Sequence, residues 1–130
     1  MTYTNSITLD DDFDSAVDRT IEALGDEGFG VLADIDVQAT FAEKLGEDFR
    51  KYRILGACNP PKAHEGLTKD PNLGALLPCN VVVYENDDGG VVVSAVDTET
   101  LIGVTEDPEL IAVAEEIGER FDRVLDELRR

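Results

Sequence analysis

The sequence predicts an α+β domain: an antiparallel sheet with helices packed mainly on one face. Three observations predict it. Short runs of period-two apolar alternation recur along the chain. The last two runs are joined by a tight polar turn, as in a hairpin. A long amphipathic helix closes the chain. Hairpin-linked strands with helices set apart from them pack as a two-layer α+β sandwich.

Each element has its own signal. Residues 3–9 set Tyr3, Asn5, Ile7 and Leu9 against Thr4, Ser6 and Thr8, a strand pattern. Asp10, Asp11 and Asp12 suit a helix N-terminus. Phe13, Val17, Ile21 and Leu24 follow at helical spacing, with Gly25 as the expected stop. Phe29, Val31, Ala33 and Ile35 return to period two as a second strand. The Gly25 to Gly30 segment precedes a strand rather than a helix, so it reads as a turn and not a phosphate loop. Val37 to Leu45 is a short helix with Phe41 and Leu45 on one face, closed by Gly46. Arg50 to Asn59 is a third strand, ended by Pro60 and Pro61. Residues 62–70 are a short helix and residues 70–74 a loop. Cys79 to Glu85 and Val91 to Val96 flank the turn Asn86-Asp87-Asp88-Gly89-Gly90. Asp107 and Pro108 supply an N-cap and a first-turn proline. Leu110, Val113, Ala114, Ile117, Phe121, Val124 and Leu128 then form one stripe, and Arg129 and Arg130 suit the negative helix end. The final hairpin is apolar on both faces, with Val91, Val93 and Ala95 on one and Val92 and Val96 on the other. A one-sided sheet puts polar residues on its open face. Loops, a pocket or a second subunit are therefore expected over the second face.

The 130 residues fit one domain spanning 1–130. There are 29 Asp and Glu against 11 Lys and Arg, a formal charge of -18. The acids are dispersed, with no acidic tail, and lysine is limited to Lys44, Lys51, Lys62 and Lys69. Self-repulsion on this scale opposes the compact state unless salt screens it. Dispersed acids with few lysines predict a halophilic, cytoplasmic protein. A basic protein partner is the competing reading of the charge. Nucleic acid is disfavoured, because binding it rests on cationic contacts to phosphate. No apolar run approaches the ~20 residues of a membrane helix, so no membrane partner is expected. The N-terminus carries neither the basic region nor the apolar core of a secretory signal.

Three segments carry a family resemblance: Tyr52-Arg53-Ile54-Leu55-Gly56-Ala57-Cys58-Asn59-Pro60, Leu76-Leu77-Pro78-Cys79-Asn80-Val81-Val82-Val83-Tyr84 and Val92-Val93-Ser94-Ala95-Val96-Asp97. Together with Gly28-Phe29-Gly30-Val31 and Asp36-Val37-Gln38-Ala39-Thr40, they resemble the DUF302 family, also described as TT1751-like. The resemblance covers nearly the whole chain. It implies a TATA-binding-protein-like fold of β-α-β(4)-α type and no assigned activity. Fold analogy carries no function, DNA binding included. The chain departs from the family pattern at Thr98, where proline is common, and at Gly66, where a small apolar side chain is ordinary.

The candidate site lies between two strand ends. Cys58 ends one strand and Cys79 begins another, so antiparallel pairing brings them together, with Asn59 and Asn80 beside them. These four residues and His64, the single histidine, are the candidate ligand-binding set. One reading is a polar pocket with a thiol pair. The plain alternative is two packed thiols and asparagines that bond irregular backbone. A C-x-x-C motif is absent. Cys58, Cys79 and His64 alone fall one ligand short of a tetrahedral metal site, and their spacing matches no zinc motif. His64 as a general base, a haem or metal ligand, or a surface residue stays open. Arg50, Lys51 and Arg53 form a basic cluster that Glu47 and Asp48 are expected to balance. No nucleophile elbow or dinucleotide fingerprint is present. The expected function is a small-ligand-binding or regulatory module, with a small molecule and a second copy as partners and no cofactor named. A cysteine-dependent redox or enzymatic protein and an oligomerisation domain are the alternatives.

Overall fold

Five strands form one sheet in the order β1-β5-β4-β3-β2, with every neighbouring pair antiparallel. They are β1 (Thr4–Leu9), β2 (Gly30–Asp36), β3 (Tyr52–Cys58), β4 (Cys79–Glu85) and β5 (Val91–Val96). The helices are α1 (Phe13–Asp26), α2 (Val37–Leu45), α3 (Pro60–Lys69), α4 (Thr98–Gly103) and α5 (Pro108–Leu128), with a 3-10 turn at Pro71–Leu76. This computed structural model describes residues 2–130. The architecture is the predicted α+β fold, with α2, α3, α4 and the 3-10 turn inserted as short elements.

The helix starts follow from side-chain chemistry. Asp12 caps α1 by accepting from Ser15 N at 2.9 Å, and Asp107 caps α5 by accepting from Glu109 N at 2.9 Å. Their apolar stripes cover one face of the sheet. Phe13, Ala16, Val17 and Leu24 of α1 and Ile117, Phe121, Val124 and Leu128 of α5 are buried there. They pack in one core with Ile7, Leu55, Ala57, Val81, Val83, Val91, Val93 and Ala95. Phe29 and Phe121 meet with ring centroids 4.8 Å apart.

Several sequence expectations need correction. Helix α1 runs through Gly25 and ends at Asp26; the chain turns at Gly28, whose φ of 86° suits glycine. A glycine inside a helix costs only about 1 kcal/mol relative to alanine, which burial of Leu24 readily offsets. The period-two run in β2 does not keep one face. A β-bulge between Val31 and Ala33 shifts the register, so Val31 pairs with Ala57 while Ala33 pairs with Gly56. The extra residue sends Ala33 and Ile35 to the opposite face, where Ile35 is 47% exposed. The basic cluster is balanced by Asp34, which takes Arg53 Nε at 2.7 Å, and by Asp87, which takes Arg50 Nη2 at 3.1 Å, rather than by Glu47 and Asp48. Helix α4 was not expected. Asp97 caps it through Thr100 N, and the buried Thr98 hydroxyl donates to Ala114 O of α5 at 2.7 Å.

The second face is free of helices over its centre. Cross-strand rows make it: Tyr52, Tyr84, Val92 and Thr8; Ile35, Ile54, Val82, Ser94 and Ser6; and, at one end, Ala33, Gly56 and Asn80, with Val96 paired to Thr4. None of these residues is charged, in a chain with 29 acids. Ser6 and Ser94 hydroxyls bond at 2.7 Å. Tyr52 and Tyr84 rings stack at 5.4 Å, and Phe49 and Phe41 extend the aromatic row towards α2. Burial, with Tyr84 and Tyr3 nearby, pushes the Tyr52 hydroxyl pKa up.

Candidate functional site

Strand β3 ends because Pro60 and Pro61, which have no backbone N–H, cannot extend a ladder. Asn59 turns the chain and caps α3, its Oδ1 accepting from Lys62 N at 3.3 Å. Pro60 and Pro61 fill the first helical turn, where no intrahelical donor is required. Strand β4 starts after Pro78. A Cβ on Gly56 would lie 2.7 Å from Pro78 Cγ, so only glycine lets that ring seat on β3. The last paired positions are Ala57 and Cys79.

Beyond this sheet end the helical layer leaves a gap. A cavity of ≈ 280 Å³ opens between β3, β4, α3, the 3-10 turn, α4 and α5. Its walls are mostly apolar: Phe29, Leu67, Leu73, Leu77, Ile102, Leu110, Val113, Ala114 and Ile117 among them, with Leu32 at the bulge of β2. Glycine shapes it as well. A Cβ on Gly66 of α3 would lie 2.6 Å from Leu73 Cδ2, so the glycine departure noted in the sequence lets the 3-10 turn close on α3.

The predicted set divides here. Cys58, Asn59 and Cys79 all line the cavity. His64 is exposed on α3 and lines no part of it. Asn80 is exposed on the uncharged sheet face, away from Asn59, because one residue along a strand reverses the side chain. Sequence reasoning missed Lys62, Thr98 and Ile102. Lys62 is the one lysine in the cavity wall, and no carboxylate lines it. The Asp97 cap before Thr98 was the available signal for the α4 wall; the helix is only six residues long.

Electrostatics separate the polar groups. Burial pushes the Cys79 thiol up to about 11, with the nearby Cys58 adding to the effect. Cys79 is therefore protonated near neutrality, a poor nucleophile. Lys62 Nζ lies 2.7 Å from Glu116 and 3.6 Å from Glu65. The Glu116 contact holds Lys62 protonated above its ordinary range, and Lys62 lowers the Glu116 carboxyl in return. Among the described residues, no group of three or more His, Cys, Asp or Glu side chains gathers as a metal site, so Cys58, Cys79 and His64 are not brought together. No helix among them is long and apolar enough to cross a membrane.

No curated protein matches the chain. Its structure is similar to the crystal structure of an uncharacterised conserved DUF302 protein from Bacillus stearothermophilus. The two superpose with a TM-score of 0.90 at 31% sequence identity, over 97% of this chain and 98% of that one. Residues 5–128 match the family described as "Domain of unknown function DUF302". The Cys-Asn-Pro and Pro-Cys-Asn segments that shape the cavity fall inside that match, and the chain belongs to the DUF302 family.

Proposed function

We propose that this protein is a small-ligand-binding or regulatory module without catalysis of its own, acting in the cytoplasm of a salt-rich cell. The apolar, carboxylate-free cavity of ≈ 280 Å³ carries this reading. Cys58, Asn59, Lys62, Cys79 and Thr98 are its polar or thiol-bearing wall residues. His64 and Asn80 have no role in it. The cysteine-dependent alternative is disfavoured by the protonated Cys79 thiol. Uptake of 4-fluorotoluene by the full chain, followed by fluorine NMR in molar KCl, tests the cavity. The wild type should bind it, and Ala114→Phe, which places a ring in the cavity, should not. Equal binding by the two, or none by the wild type, overturns the reading.

The uncharged sheet face supports a second role, as the interface of a homodimer. Two copies of a strongly acidic chain meet with least repulsion where neither carries charge, and a two-fold pairing uses the same face twice. Light scattering in molar salt should give twice 14.2 kDa, and Ile54→Glu should give the monomer. A wild-type monomer at high micromolar concentration overturns this role.

A further inference from the structure

Strand β1 is outermost in the sheet, with β5 on one side and an open edge on the other. Its residues pair with β5 in unbroken register and include no charge, proline or glycine. The direction of its backbone groups follows from one bond. Asp97 N donates to Tyr3 O at 2.8 Å, so Tyr3 and Asp97 face each other as a hydrogen-bonded pair. Such pairs alternate along an antiparallel ladder. Asn5, Ile7 and Leu9 therefore bond to β5, whereas Thr4, Ser6 and Thr8 turn their N–H and C=O groups outward. Asn5, Ser6 and Thr8 are exposed. Acids stand at both ends of this row. Asp10 follows the strand directly. At the other end a groove between β1 and α5 is lined by Thr4, Asn5, Ser6, Asp122, Asp126 and Arg129. Arg129 is spent on Asp126 at 2.6 Å, which leaves Asp122 as the uncompensated charge of the groove.

We propose that the β1 edge is a docking site for an extended segment of a basic partner protein, which joins the sheet as a further strand beside β1. Thr4, Ser6 and Thr8 each offer one backbone donor and one acceptor for the attachment. Charge selects the partner. Thr4 and Asp10 stand about 20 Å apart at the ~3.3 Å rise of a strand. Cations at the first and seventh positions of the added strand therefore reach both acidic ends. A second copy of this chain does not suit the edge, because it brings its own Asp10 and Asp122 to meet these acids. The row lies in the plane of the sheet, apart from the cavity.

The probe is the peptide acetyl-Lys-Val-Thr-Val-Thr-Val-Lys-amide, added to the full chain in molar KCl and followed by amide hydrogen exchange. In the free protein the Thr4, Ser6 and Thr8 amides should exchange at least about ten-fold faster than those of Asn5 and Ile7. The peptide should slow all three. Ser6→Pro removes one outward donor and no bond to β5, a change that an edge strand tolerates. It should weaken the peptide at least about five-fold, the scale of one backbone hydrogen bond. Ser6→Ala loses the same hydroxyl bond to Ser94 and should bind as the wild type does. The analogue with glutamate in place of both lysines should bind at least about three-fold more weakly, the scale of one exposed ion pair. No binding of the lysine peptide, or binding that leaves the three amides fast, overturns the edge assignment. So does equal binding by Ser6→Pro or, should that variant not fold, by a lysine peptide N-methylated at alternate residues. Equal binding of the glutamate analogue overturns the basic partner. Slow exchange of the three amides before any peptide is added gives the edge to a second copy and also overturns the proposal.

Discussion

The Cys79 thiol offers the sharpest test of what this site can do. Desolvation raises its pKa from 9.0 to about 11. At pH 7.5 a thiol of pKa 9 is about 3% thiolate, and one of pKa 11 about 0.03%, so alkylation should slow roughly 100-fold even before access is counted. The variant Cys58→Ser isolates Cys79 and removes only the lesser of the two causes. Iodoacetamide labelling between pH 6 and 11, followed by mass, should show no inflection below pH 10 in the folded chain. The urea-unfolded chain should show the ordinary one. The same shift enters stability with a definite sign. The folded pKa lies above the unfolded one, so the contribution is complete below pH 9 and is lost as pH rises through about 11. The loss amounts to about 3 kcal/mol. An inflection at or below pH 8 would refute the desolvation argument and return the cysteine-dependent reading to first place.

Other perturbations follow from the same structure. Melting in KCl from 0.1 to 3 M should show a strong rise in Tm as the charge of -18 is screened; a flat curve removes the halophilic reading. Gly66→Ala should push the flexible tip of Leu73, 2.6 Å from the new Cβ position, towards the cavity. Thermal stability should change by no more than about 1 kcal/mol, while 4-fluorotoluene binding weakens measurably. Asp34 is held below its ordinary pKa chiefly by its hydrogen bonds to Arg53, so its contribution is present above pH 3.8 and disappears as pH falls. Both side chains are about 30% exposed, and a double-mutant cycle should return less than about 1 kcal/mol.

The sheet, its hairpin and the α5 stripe were readable from periodicity because they are long and bury one face. The details that failed share a cause: local pattern does not encode register. The bulge in β2 is invisible in Phe29, Val31, Ala33 and Ile35, which alternate without a break, yet it divides them between two faces. Asn59 and Asn80 follow cysteines in the same way. One caps a helix and lines the cavity, whereas the other sits inside a strand and points to the opposite face. Strand polarity was enough to place Cys58 beside Cys79. It was not enough to find Lys62 or Ile102, because the cavity walls come from helices whose docking depends on close approach at Gly66 and on the bond from Thr98 to Ala114 O.

The bulge has a further consequence at the margin of the sheet. Strand β2 is an outer strand, with one row of backbone donors and acceptors facing away from β3. A regular edge of this kind templates the addition of foreign strands and so the growth of aggregates. Crowding two residues into the space of one upsets the spacing that an incoming strand must match. Asp34 and Asp36 on the same strand add charge beside it. The irregularity that divides the side chains of β2 between two faces therefore also makes this edge a poorer template for an added strand.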